Sequence, residues 1–505
     1  MSRLRSFTAA LLLALLAGSA HAQNAQPVAL TLDEALQIAL ERNYAIRTSA
    51  LNVETANSQI REAWGQLFPR VDLTSSYTRN VVSANPFAGS DAGGLFGSLG
   101  FLDWLAFNEE ARTDEDAETE PLSLDEFRRR QAEGQANAGI TANASDNPFS
   151  VPNQVVNQVS VSQTLYSGSA FAAVRGAQSL REINEAALDL QEDQVIHQTR
   201  QLFYGALLAQ QQVNVITASV ERTRATYEEA NLLVAQGVQP KLTRLQAEVQ
   251  LANTETQLIQ ARTAAEAARD QFLFLLGLPV DRPIQLRGEL DVPDSDTYRS
   301  VGLIDAIGVA LDERPDVEQA RLAVELQQVQ RSITRAAYFP EVSAFANLSL
   351  NASLPDNRTV VTQTGPFDFE SSTNSFFSGD YWQPSVAVGV RLNWNLFDGF
   401  QTTRRVQQNT IAIQQAEIQL EQAQEAVKLE VAQALRELES ARQRVNAQER
   451  TVTVAQTAYD FAFERLRTGV GAQLDVRQAS DNLDQSSLLY LQAIHDYLVA
   501  RSNVE

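Results

Sequence analysis

The 505-residue chain lacks cysteine altogether and has only three histidines. Without cysteine it can form no disulfide framework and can carry no lipid on an N-terminal cysteine. Two of the histidines, His197 and His495, fall in helical patterns and do not cluster, so no metal site is predicted. The chain also has no P-loop lysine pattern and no Ser/His/Asp spacing. We therefore predict a protein that is not an enzyme, has no catalytic residues and needs no cofactor.

An excess of basic charge and a long apolar run are missing as well. The 40 Lys and Arg stand against 62 Asp and Glu, and the net charge of −22 argues against a nucleic-acid partner. Residues 1–22 have the pattern of a signal peptide, whose removal would take two arginines and leave a net charge of −24. Its apolar run is too short to span a membrane, and no later segment offers eighteen uncharged apolar residues. We expect an exported chain without a transmembrane helix.

The clearest positive signal is an alternation from Val386 to Leu396, in which every second residue is apolar. A period of two is typical of a strand with one apolar and one polar face. Similar runs over 71–78, 155–165 and 342–350 predict three more strands. An exported chain with such strands and no apolar helix indicates an outer-membrane β-barrel.

Long helical patterns follow two of these strands, over 168–235 and from about residue 400 to Arg467. At about 1.5 Å per residue, the second helix would be on the order of 100 Å long. Shorter helices are predicted over 32–42, after a capping box at Thr31-Leu32-Asp33-Glu34, and over 44–66 and 242–276. The second long pattern has two interlocking seven-residue series, typical of a coiled coil: Val406, Ile413, Leu420, Val427, Ala434 and Ala441, then Val431, Leu438, Val445, Val452, Tyr459 and Leu466.

The two halves of the chain correspond in sequence. Adding 271 maps Leu32 to Leu303 and Phe68-Pro69 to Phe339-Pro340, and adding 232 maps Gly237-Val238 to Gly469-Val470. We therefore predict a tandem duplication, with a first structural repeat over 23–280, a linker or equatorial segment over 281–302 and a second repeat over 303–505. The first repeat has the longer loop, residues 80–151, which is polar and acidic. It is predicted to be solvated and mobile, with a short helix near 122–131.

Four strands of about ten residues cannot close a barrel, because the smallest single-chain barrels have about eight. Open strand edges are not tolerated in lipid, so other copies must complete the structure. The predicted fold class is an α+β membrane protein. Three copies would form a 12-strand transmembrane β-barrel, with four strands per protomer, continuous with a long α-helical coiled-coil barrel outside the membrane.

The ordered set of short motifs resembles the outer membrane efflux protein family, the TolC-like channels. No single motif is specific, but the set recurs twice in order and covers nearly the whole chain after residue 22. The motifs are Leu30-Thr31-Leu32-Asp33-Glu34-Ala35-Leu36 with Ala39-Leu40, Phe68-Pro69, Leu165-Tyr166-Ser167-Gly168, Leu275-Leu276-Gly277-Leu278, Phe339-Pro340, Leu396-Phe397-Asp398-Gly399 and Gly469-Val470.

The resemblance implies a homotrimer in the outer membrane of a Gram-negative bacterium, with its helical barrel in the periplasm. Such a channel is the passive exit duct of a tripartite efflux pump that exports small molecules, drugs or proteins. Its expected partners are outer membrane lipid, a periplasmic adaptor (membrane fusion) protein and an inner-membrane transporter of the RND or ABC type.

Two kinds of site follow from the resemblance. In the family the helix-turn tips meet the adaptor, which assigns Gly237, Val238, Gly469 and Val470 to adaptor docking. Similar channels carry an aspartate at the position of Asp475, which would form a ring of three carboxylates at the periplasmic entrance. Each assignment has a purely structural alternative, since glycine commonly ends a helix and an acid suits a helix N-terminus.

Two other functions stay open. A dedicated type I protein secretion channel would share the predicted architecture. A periplasmic structural coiled coil without a pore would explain the seven-residue series but not the strands.

Overall fold

The computed structural model describes residues 28–82, 92–113, 119–140, 152–288, 290–292, 301–356 and 358–505. The predicted signal peptide over 1–22 lies outside these residues. The chain forms two compact units. One comprises Met1–Ala63, Ala172–Thr334 and Phe400–Glu505, and the other comprises Trp64–Phe171 and Arg335–Gly399.

The first unit is mainly helical. None of its described helices, nor those of the second unit, is both long enough and apolar enough to cross a membrane. The described helices of the chain are α1 (Leu32–Arg42), α2 (Tyr44–Gly65), α3 (Ala92–Thr113), α4 (Leu124–Asn137), α5 (Gly168–Ala235), α6 (Lys241–Leu275), α7 (Leu303–Glu313), α8 (Pro315–Ala336), α9 (Gln401–Arg467) and α10 (Gln473–Ser502).

The helices predicted over 32–42, 44–66, 168–235, 242–276 and from about 400 to 467 begin and end within one residue of the predicted bounds. The capping box is formed, because the amide of Glu34 donates to the Thr31 hydroxyl at 3.4 Å and the Thr31 amide donates to the Glu34 carboxylate at 2.9 Å. In α9 none of the twelve residues of the seven-residue series is exposed, and Leu438, Ala441 and Val445 share an apolar core with α10. The coiled-coil pattern therefore marks the packed face of α9.

A second core surrounds α1. Ala35 and Ala39 are fully buried against Phe203 of α5 and against Phe272 and Leu276 at the end of α6. A parallel strand pair that the sequence does not predict borders this core: β1 (Val28–Leu30) pairs with β4 (Ile284–Leu286), so the segment predicted as a linker contains a strand.

The second unit contains a four-stranded antiparallel sheet in the order β2-β3-β5-β8, so β2 and β8 are its edges. All four predicted strands are present. The fourth ends at Asn393, before Trp394 and Leu396 of the predicted alternation. There the chain turns toward α9 through Gly399 and Phe400, both with positive φ. The strands of this unit are β2 (Arg70–Arg79), β3 (Asn153–Tyr166), β5 (Glu341–Leu354), β6 (Thr359–Gln363), β7 (Phe369–Thr373) and β8 (Trp382–Asn393).

The segment 80–151, predicted as a loop with one short helix, contains two helices in its described part. The short predicted helix is present as α4, but α3 precedes it, and both pack on the β6–β7 hairpin. Phe107 of α3, Phe127 of α4 and Phe367 between β6 and β7 form an aromatic cluster with ring centroids 5.2–5.5 Å apart. Burial of these three rings offsets the entropy of ordering a polar segment. The acidic composition of the segment concealed this apolar core.

Candidate functional site

The four-stranded sheet has one apolar face. Val386, Val388, Val390 and Leu392 of β8 lie opposite apolar residues of β5, and these β8 side chains are 61–76 % exposed. The same face continues through Val159 and Val161 of β3 to Leu73 and Val71 of β2. An apolar surface of this extent is not stable in water, whereas lipid covers such faces in outer-membrane strands.

The opposite face is polar, because the intervening residues are mostly Ser, Thr, Asn and Gln. Ser160 of β3, for example, lies between Asp72 of β2 and Asn347 of β5. The edge strands β2 and β8 each leave one row of backbone donors and acceptors without a sheet partner, as both strands are described over their whole length. Such edges need a partner strand when one sheet face meets lipid.

The predicted docking tips are two equivalent helix ends. Gly237 and Gly469 have φ of 76° and 78°, a conformation that glycine adopts without strain. In each, the glycine amide donates to the carbonyl three residues back, Val234 or Leu466, and the next amide donates five residues back. This pairing is the Schellman motif, which satisfies the last carbonyls of a helix.

The two tips lie side by side. A Cβ placed on Gly469 would be 3.7 Å from Cγ1 of Val238, which is ordinary van der Waals contact. Val238 and Val470 are 54 % and 73 % exposed. At Gly471 a Cβ would lie 2.8 Å from backbone atoms of Arg465 and Leu466, so the tight turn excludes a side chain there. The four tip residues thus form one small apolar surface, which we call the tip patch.

Asp475 lies in the first turn of α10 and its side chain is exposed. Its equivalent in the first half, Thr243, is buried in the first turn of α6. The two returning helices, α6 and α10, therefore present different faces to the rest of the unit. At the third position of these helices, only α10 has a carboxylate, and that carboxylate is exposed. Both predicted roles, a cation ligand and a favourable charge at a helix N-terminus, fit this position.

A polar cluster that the sequence did not reveal joins α5, α9 and α10. The carboxylate of Asp484 accepts from the hydroxyl of Ser219 and the guanidinium of Arg222, and that guanidinium lies 5.7 Å from the ring centroid of Tyr459. Burial raises the pKa of Asp484, while Ser219 and Arg222 act in the opposite direction. Because its members are up to 265 residues apart in sequence, only the packed structure brings them together.

Two apolar helix faces are uncovered in the single chain. On α6, Leu242, Leu245, Val249 and Ile259 are 50–66 % exposed and recur at helical spacing. On α9, the residues Ile411, Ile418, Val454 and Phe461 are 48–69 % exposed, and they fall outside the packed seven-residue series. Within the described part of the chain, no group of three or more His, Asp or Glu side chains is placed to hold a metal ion.

Comparison with known proteins agrees with the predicted resemblance. Residues 306–505 match the sequence model of the outer membrane efflux protein family. The alkaline protease secretion protein AprF of Pseudomonas aeruginosa is 22 % identical over 349 residues, which cover 68 % of this chain and 67 % of AprF. The cobalt-zinc-cadmium resistance protein CzcC of Cupriavidus metallidurans is 23 % identical over 42 % of this chain and half of its own length.

A solved structure shares the fold. The CmeC outer membrane channel of Campylobacter jejuni superimposes with a TM-score of 0.67 at 14 % identity, covering 94 % of this chain and 84 % of CmeC. The mostly helical protomer with a small sheet is thus the protomer fold of TolC-like channels, and the predicted resemblance is confirmed. Sequence similarity to the outer membrane efflux protein family lies in residues 306–505, and the likeness to CmeC over 94 % of the chain is one of fold.

Proposed function

We propose that the protein is a passive outer-membrane exit duct of a tripartite efflux pump and works as a homotrimer. The observation that carries this proposal is the two-faced sheet with open edges, whose strands β3 and β8 lead into helices of 68 and 67 residues. In lipid, the unpaired backbone of β2 and β8 would cost several kcal/mol for each group. Closure by further copies removes this cost.

The strand directions allow such closure. Neighbouring strands in the sheet are all antiparallel, so β2 and β8 run in opposite directions, and β8 of one copy can pair antiparallel with β2 of the next. Three copies then give 12 strands, with the apolar face toward lipid and the polar face inward. The exposed apolar faces of α6 and α9 would be covered between copies in a periplasmic helical barrel.

The helix lengths support the tandem duplication. Helices α1 and α7 both have 11 residues, and α2 and α8 both have 22. Adding 271 to the bounds of α1 and α2 gives the bounds of α7 and α8. The repeats over 23–280 and 303–505, joined by 281–302, would then alternate around the barrel. The trimer would present six similar helical hairpins.

The tip patch is the surface we assign to adaptor docking, and Asp475 is the residue we assign to the periplasmic entrance. The two adjacent exposed valines offer an apolar contact at a turn where the backbone leaves room for a partner. An inner-membrane transporter of the RND or ABC type would supply the energy through that adaptor. The duct itself performs no chemistry.

The named roles of the relatives support a duct whose fold admits chemically different cargoes. AprF is named for secretion of a protease and CzcC for resistance to metal ions, although both resemble this chain. A dedicated type I secretion channel is therefore the second candidate. The two-faced sheet argues against a coiled coil without a pore.

Conductance in planar lipid bilayers tests the proposal. We expect the purified protein to form stable ion-conducting channels with one unit conductance, and to run as a trimer in detergent. A monomeric protein that never conducts would instead support the structural coiled coil.

A further inference from the structure

The charges on the polar face of the sheet lie near the strand ends that lead to the long helices. There, Arg70 and Asp72 of β2 form an ion pair at 2.9 Å. The carboxylate of Glu341 accepts hydrogen bonds from the hydroxyls of Ser167 and Ser169 at 3.1 and 3.3 Å. These three charges are therefore balanced or solvated by groups on the same protomer.

Arg391 of β8 is held differently. Its guanidinium lies 5.1 Å from the ring centroid of Phe345, on the neighbouring strand β5. That ring covers the backbone of Gly389, where a Cβ would come within 2.8 Å of the Phe345 Cζ. Glycine at 389 thus makes room for the ring, and the ring supports the guanidinium. Stacking on a ring fixes an arginine while leaving its in-plane N–H donors free for an anion.

The surroundings of Arg391 are suited to a polar solute. A crevice of about 370 Å³ lies beside it, lined also by Thr164, Ser343, Asn393 and Glu341. Thr164 and Ser343 are in the same cross-strand row as Arg391, so their side chains point to the polar face with it.

We infer that Arg391, carried on Phe345, is a charge-selectivity residue of the duct, which favours the passage of anionic solutes. This inference rests on the proposed function, because only a closed trimer places three copies of Arg391 around one level of the interior. Fixed charges that ring a pore change the local concentration of permeant ions of each sign. Their influence reaches about 10 Å at 0.1 M salt, so the effect is measured at low ionic strength.

The test is the reversal potential of single channels under a KCl gradient. Coulomb energies in water at these distances are comparable to thermal energy, so we expect Arg391→Gln to lower the chloride-to-potassium permeability ratio about twofold. Arg391→Lys keeps the charge and should retain most of the chloride preference. Glu341→Gln, on the same crevice, should shift the ratio in the opposite direction.

A matched control removes an arginine from the far end of the sheet without changing the net charge. Arg79 pairs with Asp356 at 3.0 Å, so the double variant Arg79→Gln/Asp356→Asn should give the parent reversal potential. If the parent conducts and Arg391→Gln has the same reversal potential as the parent, this inference is wrong, but the proposed duct function is not contradicted. If the parent does not conduct at all, both the duct and the selectivity residue are refuted.

Discussion

At the scale of single residues, the sequence identified the glycines of the tip patch, because Gly237 and Gly469 follow helical patterns that stop. It could not predict that Asp475 is exposed and its equivalent Thr243 is buried, since both occupy the third position of a returning helix. Only packing buries one and exposes the other. Gly389 carried no sequence signal at all. Its role depends on the cross-strand register that places Phe345 opposite it.

Replacing Gly237 by alanine tests the helix-end conformation. A side chain at a φ of 76° is strained, so Gly237→Ala should lower the free energy of unfolding by roughly 1–2 kcal/mol. The matched control is Gly205→Ala inside α5, where a Cβ meets nothing within 4 Å, and this change should stabilise the protein by about 0.5–1 kcal/mol. Denaturant unfolding measures both. Equal effects of the two substitutions would contradict the strain argument.

Asp475 should bind cations at the entrance. Multivalent cations added from the periplasmic side should block single-channel current in the parent, and Asp475→Ala should relieve the block, because three carboxylates are lost per trimer. Asp475→Glu, which keeps the charge, is the control and should still be blocked. If the cation concentration that blocks the parent also blocks the alanine variant, Asp475 is not the cation ligand and has only its role at the helix N-terminus.

At the scale of elements, periodicity predicted α5, α9 and the four strands of the sheet closely. The seven-residue series marked the packed face of α9 correctly. Helix α3 and the β6–β7 hairpin were missed, because their core is three phenylalanines from segments more than 200 residues apart, inside polar sequence. The β1–β4 pair was missed because three-residue strands leave no periodic signal.

The tip patch should be needed for adaptor binding. Val470→Asp places a charge on an exposed valine without straining the backbone, so it should abolish export and adaptor pull-down while trimers persist in the membrane. Val361→Asp is the control, since Val361 is also exposed but belongs to the β6–β7 hairpin of the other unit. Loss of the trimers themselves in Val470→Asp would mean that the tip is a structural element only.

His197 in α5 should make the free energy of unfolding depend on pH. Burial, and then the charge of Arg200, lower the pKa of His197 in the folded protein below its usual value of 6.5. The folded state therefore binds fewer protons than the unfolded state. The contribution of neutral His197 to the free energy of unfolding is fully present above about pH 6.5 and is lost as pH falls through the lowered pKa. The free energy of unfolding of His197→Gln should change less than that of the parent between pH 7 and 5. Identical pH profiles would contradict this assignment.

At the scale of the whole molecule, the motif order predicted a resemblance to outer membrane efflux proteins, and the comparisons confirmed that resemblance. The number of copies could not be read from residues alone, because it depends on how edge strands meet. That question is open to a direct test, since the chain has no native cysteine.

Cross-linking between edge strands should reveal whether β8 of one copy pairs with β2 of the next. Cysteine at Leu73 of β2, combined in turn with cysteine at Val386, Val388 or Val390 of β8, should give disulfide-linked species up to trimers in at least one combination. Leu73→Cys with Leu348→Cys is the control: these residues share a row but are separated by β3, about 9–10 Å apart, which is too far for a disulfide. Exclusively monomeric products from all three edge pairs would refute closure through β2 and β8.

The even number of strands has a consequence of its own. Because neighbouring strands alternate in direction, the two edge strands of a two- or four-stranded sheet run in opposite directions. Every junction between identical sheets can therefore be the same antiparallel strand pair. Each half of this chain supplies two strands, β2 with β3 and β5 with β8. The same parity therefore holds for half a chain, and an ancestor of half the length could have built an equivalent wall from six subunits. In the proposed duplication, fusion of two such halves would free each half to diverge, one toward a longer loop and the other toward an exposed acid at its returning helix.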